Sequence, residues 1–507
     1  MGPSRAGHGP ARLVALLLAL ASLAAVVQVH RSGQTLLAVM LLVVTAAAGY
    51  TYGSTRTQAL RYLFPGVAAA LVFVVFPMLT TIGIGFTNAS SSNLLDHARA
   101  RQVLLEESTI RPGSARPFVL HREGGSLRVW LPPTDGRPGL LSEPWQGLPT
   151  APQVLHEVAT PAGQPLDLRD TVAQLDALRL LALQAPGGER LALLSLREMA
   201  EPQPLFAAGA DGGLTHQLSG TTYRRDDAAG FYTSEAGDRL TPGYRVGVGL
   251  AHYERLFTDE RFREPFLGVF VWTVVFAAAS VALAAGLGLV LAVLLNWEPL
   301  QGKGAYRLVL FLPYAVPGFI SILVFKGLFN QNLGEVNLVL DGLFGIRPAW
   351  FSDPTLARAM LLVVNVWLGF PYMMVLCSGL IKSIPADLYE ASAVAGAGAW
   401  TNFRAITMPL ILKPLTPLLI SAFAFNFNNF VLVSLLTGGR PDQPDASTPV
   451  GTTDILVSYT WRIAFQDSGA QFGLASAIST VIFLLVAAVT LLQMRATRLA
   501  DEAGPRR

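Results

Sequence analysis

Hydrophobic and polar positions segregate along this chain on the length scale of a bilayer. Eight stretches of 17 or more residues contain no Asp, Glu, Lys, Arg or His: 13–29, 32–55, 62–95, 265–297, 308–325, 359–381, 414–439 and 468–494. A hydrocarbon core about 30 Å thick takes about 20 helical residues to cross, because irregular backbone in lipid leaves its polar groups unsatisfied. The pattern predicts an all-α polytopic membrane protein with eight transmembrane helices. The first stretch is short and follows Arg5 and Arg12, as a cleavable signal would. The second begins directly behind it, so the pair reads instead as a helical hairpin. Between the third and fourth stretches the pattern changes. Residues 90–264 hold no such run, carry Pro and Gly throughout, and alternate over short segments such as Ser126-Leu127-Arg128-Val129-Trp130-Leu131, the period of a half-buried strand. A large, mainly β insertion is expected there.

Charge sharpens the division. The chain is 52% hydrophobic and only 14% charged, against roughly 25% charged in an average soluble domain, which excludes a wholly soluble enzyme or a disordered protein. Of 37 basic and 34 acidic residues, 18 and 22 lie within 90–264. In the short loops, thirteen Lys and Arg fall on the side of the N-terminus and six on the other, a bias that places both termini in the cytoplasm and the insertion outside. The plan is then three helices over 1–88, a periplasmic domain over 89–264, a five-helix core over 265–498 and a cytoplasmic tail over 499–507. A net charge of +3 gives no basis for a nucleic-acid partner. The lone Cys377 sits in an apolar run as a packing residue, without an intrachain disulfide. The insertion shows no Gly-x-Ser-x-Gly elbow, no metal-spaced His cluster and no distinctive carboxylate pair, so no catalytic residue, metal or cofactor is expected. Nor is there a Gly-x-x-x-x-Gly-Lys-Ser/Thr loop to cradle nucleotide phosphates.

Polar residues inside apolar spans normally face protein or a water-filled path. In the sixth stretch Asn365, Gly369, Tyr372 and Leu376 recur at helical spacing, as do Ala422, Phe425, Asn426 and Asn429 in the seventh. Asparagine supplies two donors and an acceptor suited to vicinal hydroxyls, and Phe or Tyr offers a flat face to the C–H side of a sugar ring. Gly369 admits close approach to the backbone, and Pro371 allows a kink. By residue type alone, bonding between helices fits these asparagines equally well. In the fifth stretch Pro313 and Pro317 each remove a backbone donor and predict a bend, at a substrate path or as a packing kink.

Between the sixth and seventh stretches lies a polar loop, 384–409. Pro385 suits a first helical turn there, and Asp387 suits the positive end of the helix dipole. Gly396 and Gly398 permit a left-handed turn, after which a second short helix can run from Ala399 toward Pro409. Leu388, Ala391 and Ala395 share one face among small residues that admit a partner's backbone. The loop resembles the EAA motif of ABC-importer permease subunits: Glu390, Ala391, Gly396, Ile406 and Pro409 stand at the motif's positions, while Ser392 replaces its second Ala and Met408 its Leu. The resemblance implies that Glu390, Ala391, Ser392, Gly396, Ile406 and Pro409 couple the chain to an ATP-binding subunit.

Three further segments narrow the likeness. Gly249-Leu250-x-x-Tyr253-x-x-Leu256-Phe257, Asn365-Val366-Trp367-Leu368-Gly369-Phe370-Pro371-Tyr372 and Ala422 to Phe430 are similar to sugar-importer permeases. The eight-span plan with its external domain is similar to the MalF-type permeases of maltose/maltodextrin ABC importers. That likeness is close over 249–498 and rests on position and size through 90–248. It implies a sugar site lined by Asn365, Leu368, Gly369, Tyr372, Phe425, Asn426 and Asn429, with Ala422 standing where the family can carry Ser. It also implies a second permease subunit (MalG-type), two copies of an ATPase (MalK-type) and a periplasmic maltose-binding protein as partners, beside the sugar and membrane lipid. The expected function is a non-catalytic permease subunit that moves maltose and maltodextrins across a bacterial inner membrane. Three alternatives stay open: a permease for another oligosaccharide or a polyol, an ATP-independent secondary carrier, and a membrane-anchored enzyme using the insertion.

Overall fold

The computed structural model describes residues 8–134, 136–149, 151–161, 163–446, 448–466 and 470–502. The chain divides into two compact units, one running from Ser92 to Val246 and the other formed by the residues before and after it.

The second of these is helical. Helix α1 (His8–Arg31) and α2 (Thr35–Gly53) pack against each other across a turn at Gly33, whose φ of +83° suits glycine. They are followed by α3 (Leu60–Ile84), α4 (Glu260–Asn296), α5 (Lys303–Ala315), α6 (Gly318–Leu328), α7 (Pro354–Lys382), α8 (Ala386–Val394), α9 (Ala399–Phe427), α10 (Phe430–Leu436), α11 (Leu456–Phe465) and α12 (Phe472–Glu502). Among the described residues six helices are long and apolar enough to cross a membrane, or seven if α5 and α6 count as one span, and Leu17–Arg31 is a shorter apolar helix. Acidic caps start the two central helices. Asp259 accepts from Arg261 N before α4, and Asp353 accepts from Thr355 N and Leu356 N before α7, with Pro354 in its first turn. These two helices form the most extensive contact in the unit. They cross at Gly288, where an added Cβ would lie 2.6 Å from Met373 Cβ, so only glycine permits that approach. Cys377 is fully buried with Leu289, Ala292, Ile411 and Leu415.

Several helices break or widen where the sequence suggested simple spans. The fifth stretch does more than bend: α5 and α6 meet at 92°. Pro317 has no N–H for the Pro313 carbonyl and its ring crowds that carbonyl, so the chain leaves the helix at Val316 (φ −95°, ψ 131°) and restarts at Gly318. The seventh stretch is also not one helix. It stops at Phe427, and Asn429 (φ −77°, ψ 66°) caps α10 by accepting from Leu432 N at 3.4 Å. Asn429 therefore does not share a helix face with Phe425 and Asn426; its side chain competes with the backbone and starts a new element. The second helix of loop 384–409 does not end near Pro409 either. It continues through a π turn at Phe403–Thr407 into the membrane helix, all within α9. A matching π turn at Leu71–Val75 precedes Pro77 in α3. In each case the carbonyl four residues before the proline, Ala405 or Phe73, lies in the widened turn, which relieves the clash a regular helix would impose.

A buried ion cluster fastens the segment between α10 and α11. The Asp454 carboxylate, fully buried, accepts from Gly451 N at 2.7 Å, Ser458 Oγ at 2.7 Å and Arg462 Nη1 at 2.8 Å, and Arg462 also pairs with Asp442. A carboxylate so enclosed is tolerable only with such partners.

The other unit is mainly β, as expected. A nine-stranded sheet centres on Val119–Glu123, Ser126–Leu131, Leu140–Ser142 and Gln153–Glu157. Along Ser126–Leu131 the residues alternate between half-buried and buried, with Leu127, Val129 and Leu131 facing the core. A four-stranded meander, Phe206–Ala208, Leu214–His216, Thr222–Asp226 and Phe231–Ser234, packs with the helix His97–Glu106 around Tyr232 and Tyr244. There His97 Nε2 lies 3.0 Å from Tyr232 Oη. Burial holds His97 below the usual histidine value, and the Arg225 charge adds to this. The unit ends earlier than the 264 expected. Residues 251–258 are helical, and Leu256 and Phe262 pack with Tyr459 and Ile478 in the helical unit.

Candidate binding cavity and coupling loop

The breaks in α5–α6 and α9–α10 open onto one cavity of about 820 Å³, within the size range of small-molecule sites. All seven residues expected at a sugar site line it: Asn365, Leu368, Gly369 and Tyr372 from α7, Phe425 and Asn426 from the end of α9, and Asn429 from the junction with α10. The α5–α6 break contributes the run Pro313 to Phe319, and α4 contributes Ser280, Val281 and Ala284.

Three asparagines form a connected cluster across the helices. Asn365 Nδ2 donates to Asn426 Oδ1 at 2.6 Å, and Asn429 Nδ2 donates to Asn365 Oδ1 at 3.2 Å. Asn426 Nδ2 donates to the Ala422 carbonyl at 2.8 Å. Asn365 is only 7% exposed, so these bonds replace water that the burial removed. The two roles open at the level of sequence, joining helices and lining a cavity, are both present in the geometry. The aromatic residues behave differently. Tyr372 is 43% exposed and Phe425 71% exposed, leaving ring faces free at the cavity. At Gly369 the backbone lies beside Ala284, and an added Cβ would come to ordinary contact distance of its Cβ, 3.4 Å. Ala422 lines the wall without a hydroxyl.

Other residues of the lining were not picked out from sequence. The Ser280 hydroxyl is buried and makes no hydrogen bond among the described residues. Tyr314 and Ser421 also line the cavity. The two prolines flanking Tyr314 were a usable signal, since a broken helix exposes what lies at its break. A serine within a charge-free run carries no comparable mark.

The loop 384–409 presents itself to solvent. α8 has no buried residue, and Val394 and Trp400 are 92% and 71% exposed. Glu390 and Ala391 are exposed. Ser392 instead bonds inward to Asn402, while Tyr389 Oη lies 2.9 Å from Thr407 Oγ1. Gly396 makes the turn with φ +75°. Ile406 is half-buried in the π turn, and Pro409 follows it. Internal bonds thus hold the loop's shape, and its outer face packs against nothing among the described residues. Among the described residues no group of three or more His, Cys, Asp or Glu is placed to hold a metal ion.

Comparison with known proteins adds to this geometry. The family model of the maltose transport system permease protein MalF P2 domain matches residues 95–249, and that of the binding-protein-dependent transport system inner membrane component matches residues 284–498. The chain is 48% identical over 484 residues to the maltose/maltodextrin transport system permease protein MalF of Escherichia coli K12, covering 94% of each. It is 49% identical over 484 residues to that of Klebsiella aerogenes, again covering 94% of each. The Photorhabdus laumondii protein of the same description is 48% identical over 485 residues, 94% of this chain and 93% of the relative. Among solved structures, a bacterial alginate ABC transporter in complex with alginate pentasaccharide-bound periplasmic protein aligns at a TM-score of 0.44 and 22% identity, over 51% of this chain and 85% of that one.

Proposed function

Because this chain belongs to the MalF family of maltose/maltodextrin transport system permease proteins, we propose that it carries maltose and maltodextrins through the membrane and that the cavity around Asn365, Asn426 and Asn429 is where the sugar rests. The observation that carries this reading is the convergence of all seven candidate residues, drawn from two helices and a helix junction, on that single cavity. Phe425 and Tyr372 supply faces for the apolar side of a pyranose ring. Asn426, Asn429 and the unpartnered Ser280 hydroxyl supply hydrogen bonds for its rim.

The energy comes from elsewhere, because the chain has no phosphate-cradling loop. Loop 384–409 docks into the cleft of an ATP-binding subunit, with Glu390 and Ala391 on the contact face. That subunit's ATP-bound and ATP-free states hold the loop differently, and this differential contact biases the helices between outward and inward openings. α9 is the link. It starts in the loop at Ala399 and ends in the cavity at Phe425 and Asn426, a rise of about 40 Å along one helix. Assembly comprises a second permease subunit of the MalG type, two MalK-type ATPases and a periplasmic maltose-binding protein that delivers the sugar. The chain crosses the inner membrane eight times, with both termini in the cytoplasm and the β unit in the periplasm.

The test is reconstitution with these partners in vesicles and measurement of labelled maltose uptake. ATP-dependent uptake is expected, with Glu390→Lys abolishing it while membrane insertion stays normal. Uptake driven by an ion gradient without the ATPase, or normal transport by Glu390→Lys, would overturn the coupling reading. Competition by a polyol in place of maltose would move the substrate assignment.

A further inference from the structure

A second cavity, of about 550 Å³, lies along the same helices one step closer to loop 384–409. Three helices line the first cavity and then, in one common direction, the second. α4 offers Ala284 and then Leu295, α5 offers Tyr314 and then Phe311 and Arg307, and α7 offers Tyr372 and then Val375, Ser378 and Lys382. From Tyr372 to Lys382 the α7 helix rises about 15 Å. Met373 lines the first cavity and Met374 the second, both buried where α7 crosses Gly288. On the opposite wall the rings of Tyr314 and Phe311 lie 5.3 Å apart, so the aromatic surface continues from one cavity into the next.

The chemistry of the second cavity is specific. Asn296 Nδ2 donates to Ser378 Oγ at 2.8 Å, and Arg307 Nη2 donates to Asn296 Oδ1 at 3.5 Å. Asn296 thereby orients a hydroxyl and a guanidinium toward the same space. Arg307 has no ion pair among the described residues. An aromatic face, a planar fork of donors and a hydroxyl suit a ring with hydroxyls on its rim and C–H groups on its face.

We propose that this second cavity is a release subsite for the transported saccharide, which Phe311, Arg307 and Ser378 hold after it leaves the asparagine cluster and before it enters the cytoplasm. The inference rests on the transport reading above. It divides one long passage into two shorter steps, with α5 and α7 as a shared rail.

The complex with its ATPase and second permease serves for the test, in inside-out vesicles without nucleotide. Val375→Cys places a reporter thiol on the cavity wall, and Leu308→Cys places a second on the opposite side in case the first fails to assemble. Saturating maltotriose is expected to slow alkylation of either thiol several-fold, and Phe311→Ala is expected to remove that protection. In uptake assays Arg307→Gln should lower the maximal rate roughly tenfold, the loss of one strong hydrogen bond, with KM little changed. Equal alkylation with and without sugar, in a complex that still takes up maltose, would overturn the proposal. So would slowing by anionic lipid alone, which would make the cavity a lipid pocket. If Asn426→Ala likewise left sugar affinity and uptake untouched, the failure would lie with the transport reading itself.

Discussion

Asn426 and Asn365 occupy one cluster but face different consequences. Replacing Asn426 with alanine removes an acceptor for Asn365 and the proposed rim contact for sugar, and should raise the KM for maltose roughly tenfold, the worth of one good hydrogen bond. Asn365→Ala removes both interhelical bonds at a 7%-exposed position. It should cost roughly 1–3 kcal/mol of stability as well as affinity, read as earlier thermal inactivation of the purified complex. Unchanged affinity in Asn426→Ala, together with lowered stability in both variants, would return the cluster to helix joining alone. Asn365 and Asn426 were legible because an amide in an apolar stretch is costly without a role. Asn429 reached the same cavity by a route the periodicity did not describe, as a cap rather than a face residue. Ser280 was not legible, because a lone helical serine normally satisfies itself against its own backbone.

Broken and widened helices dominate at the next scale. Pro317→Ala restores the donor for the Pro313 carbonyl and removes the ring clash, favouring a straighter α5–α6 in place of the 92° break. Uptake should fall while the complex still assembles, because the run Pro313 to Phe319 would leave the cavity wall. Normal uptake in that variant would show the break to be incidental to transport. In loop 384–409, the proposed ATPase contact, Gly396→Val forces a β-branched residue to φ +75°, a penalty of roughly 1–2 kcal/mol. Co-purification of the ATPase should drop accordingly. The prolines announced trouble in these helices, but its form depends on neighbours. A ring clash can resolve as a sharp break, as at Pro317, or as a π turn, as before Pro77 and Pro409. Only packing decides between the two.

At the scale of the whole chain, apolar length and alternation separated a helical unit from a β unit before any coordinates. The line between them shifted because residues 251–264 look soluble by charge yet bury Leu256 and Phe262 in the helical core. Charge reports solvent along one face of a helix and is silent about the other. The β unit should also respond to pH. His97 sits below its unfolded value of 6.5, chiefly from burial. As pH falls through 6.5 toward the lowered folded value, the unfolded state takes the proton first, so stability present at neutral pH is progressively lost. Hydrogen-exchange protection in the intact protein, corrected for the intrinsic slowing of exchange at lower pH, should therefore fall in 97–106 and 231–234 between pH 7 and 5. His97→Gln should flatten that dependence, and an unchanged profile in the variant would assign it to other groups.

The asparagines lining the cavity bond to one another. On the proposed reading, a sugar arriving at these amides exchanges partners there, so this part of its affinity is the remainder between two sets of bonds. A small remainder means a short dwell time. Such a conduit gains throughput from indifference to its cargo, and leaves tight capture to whatever stands at its entrance.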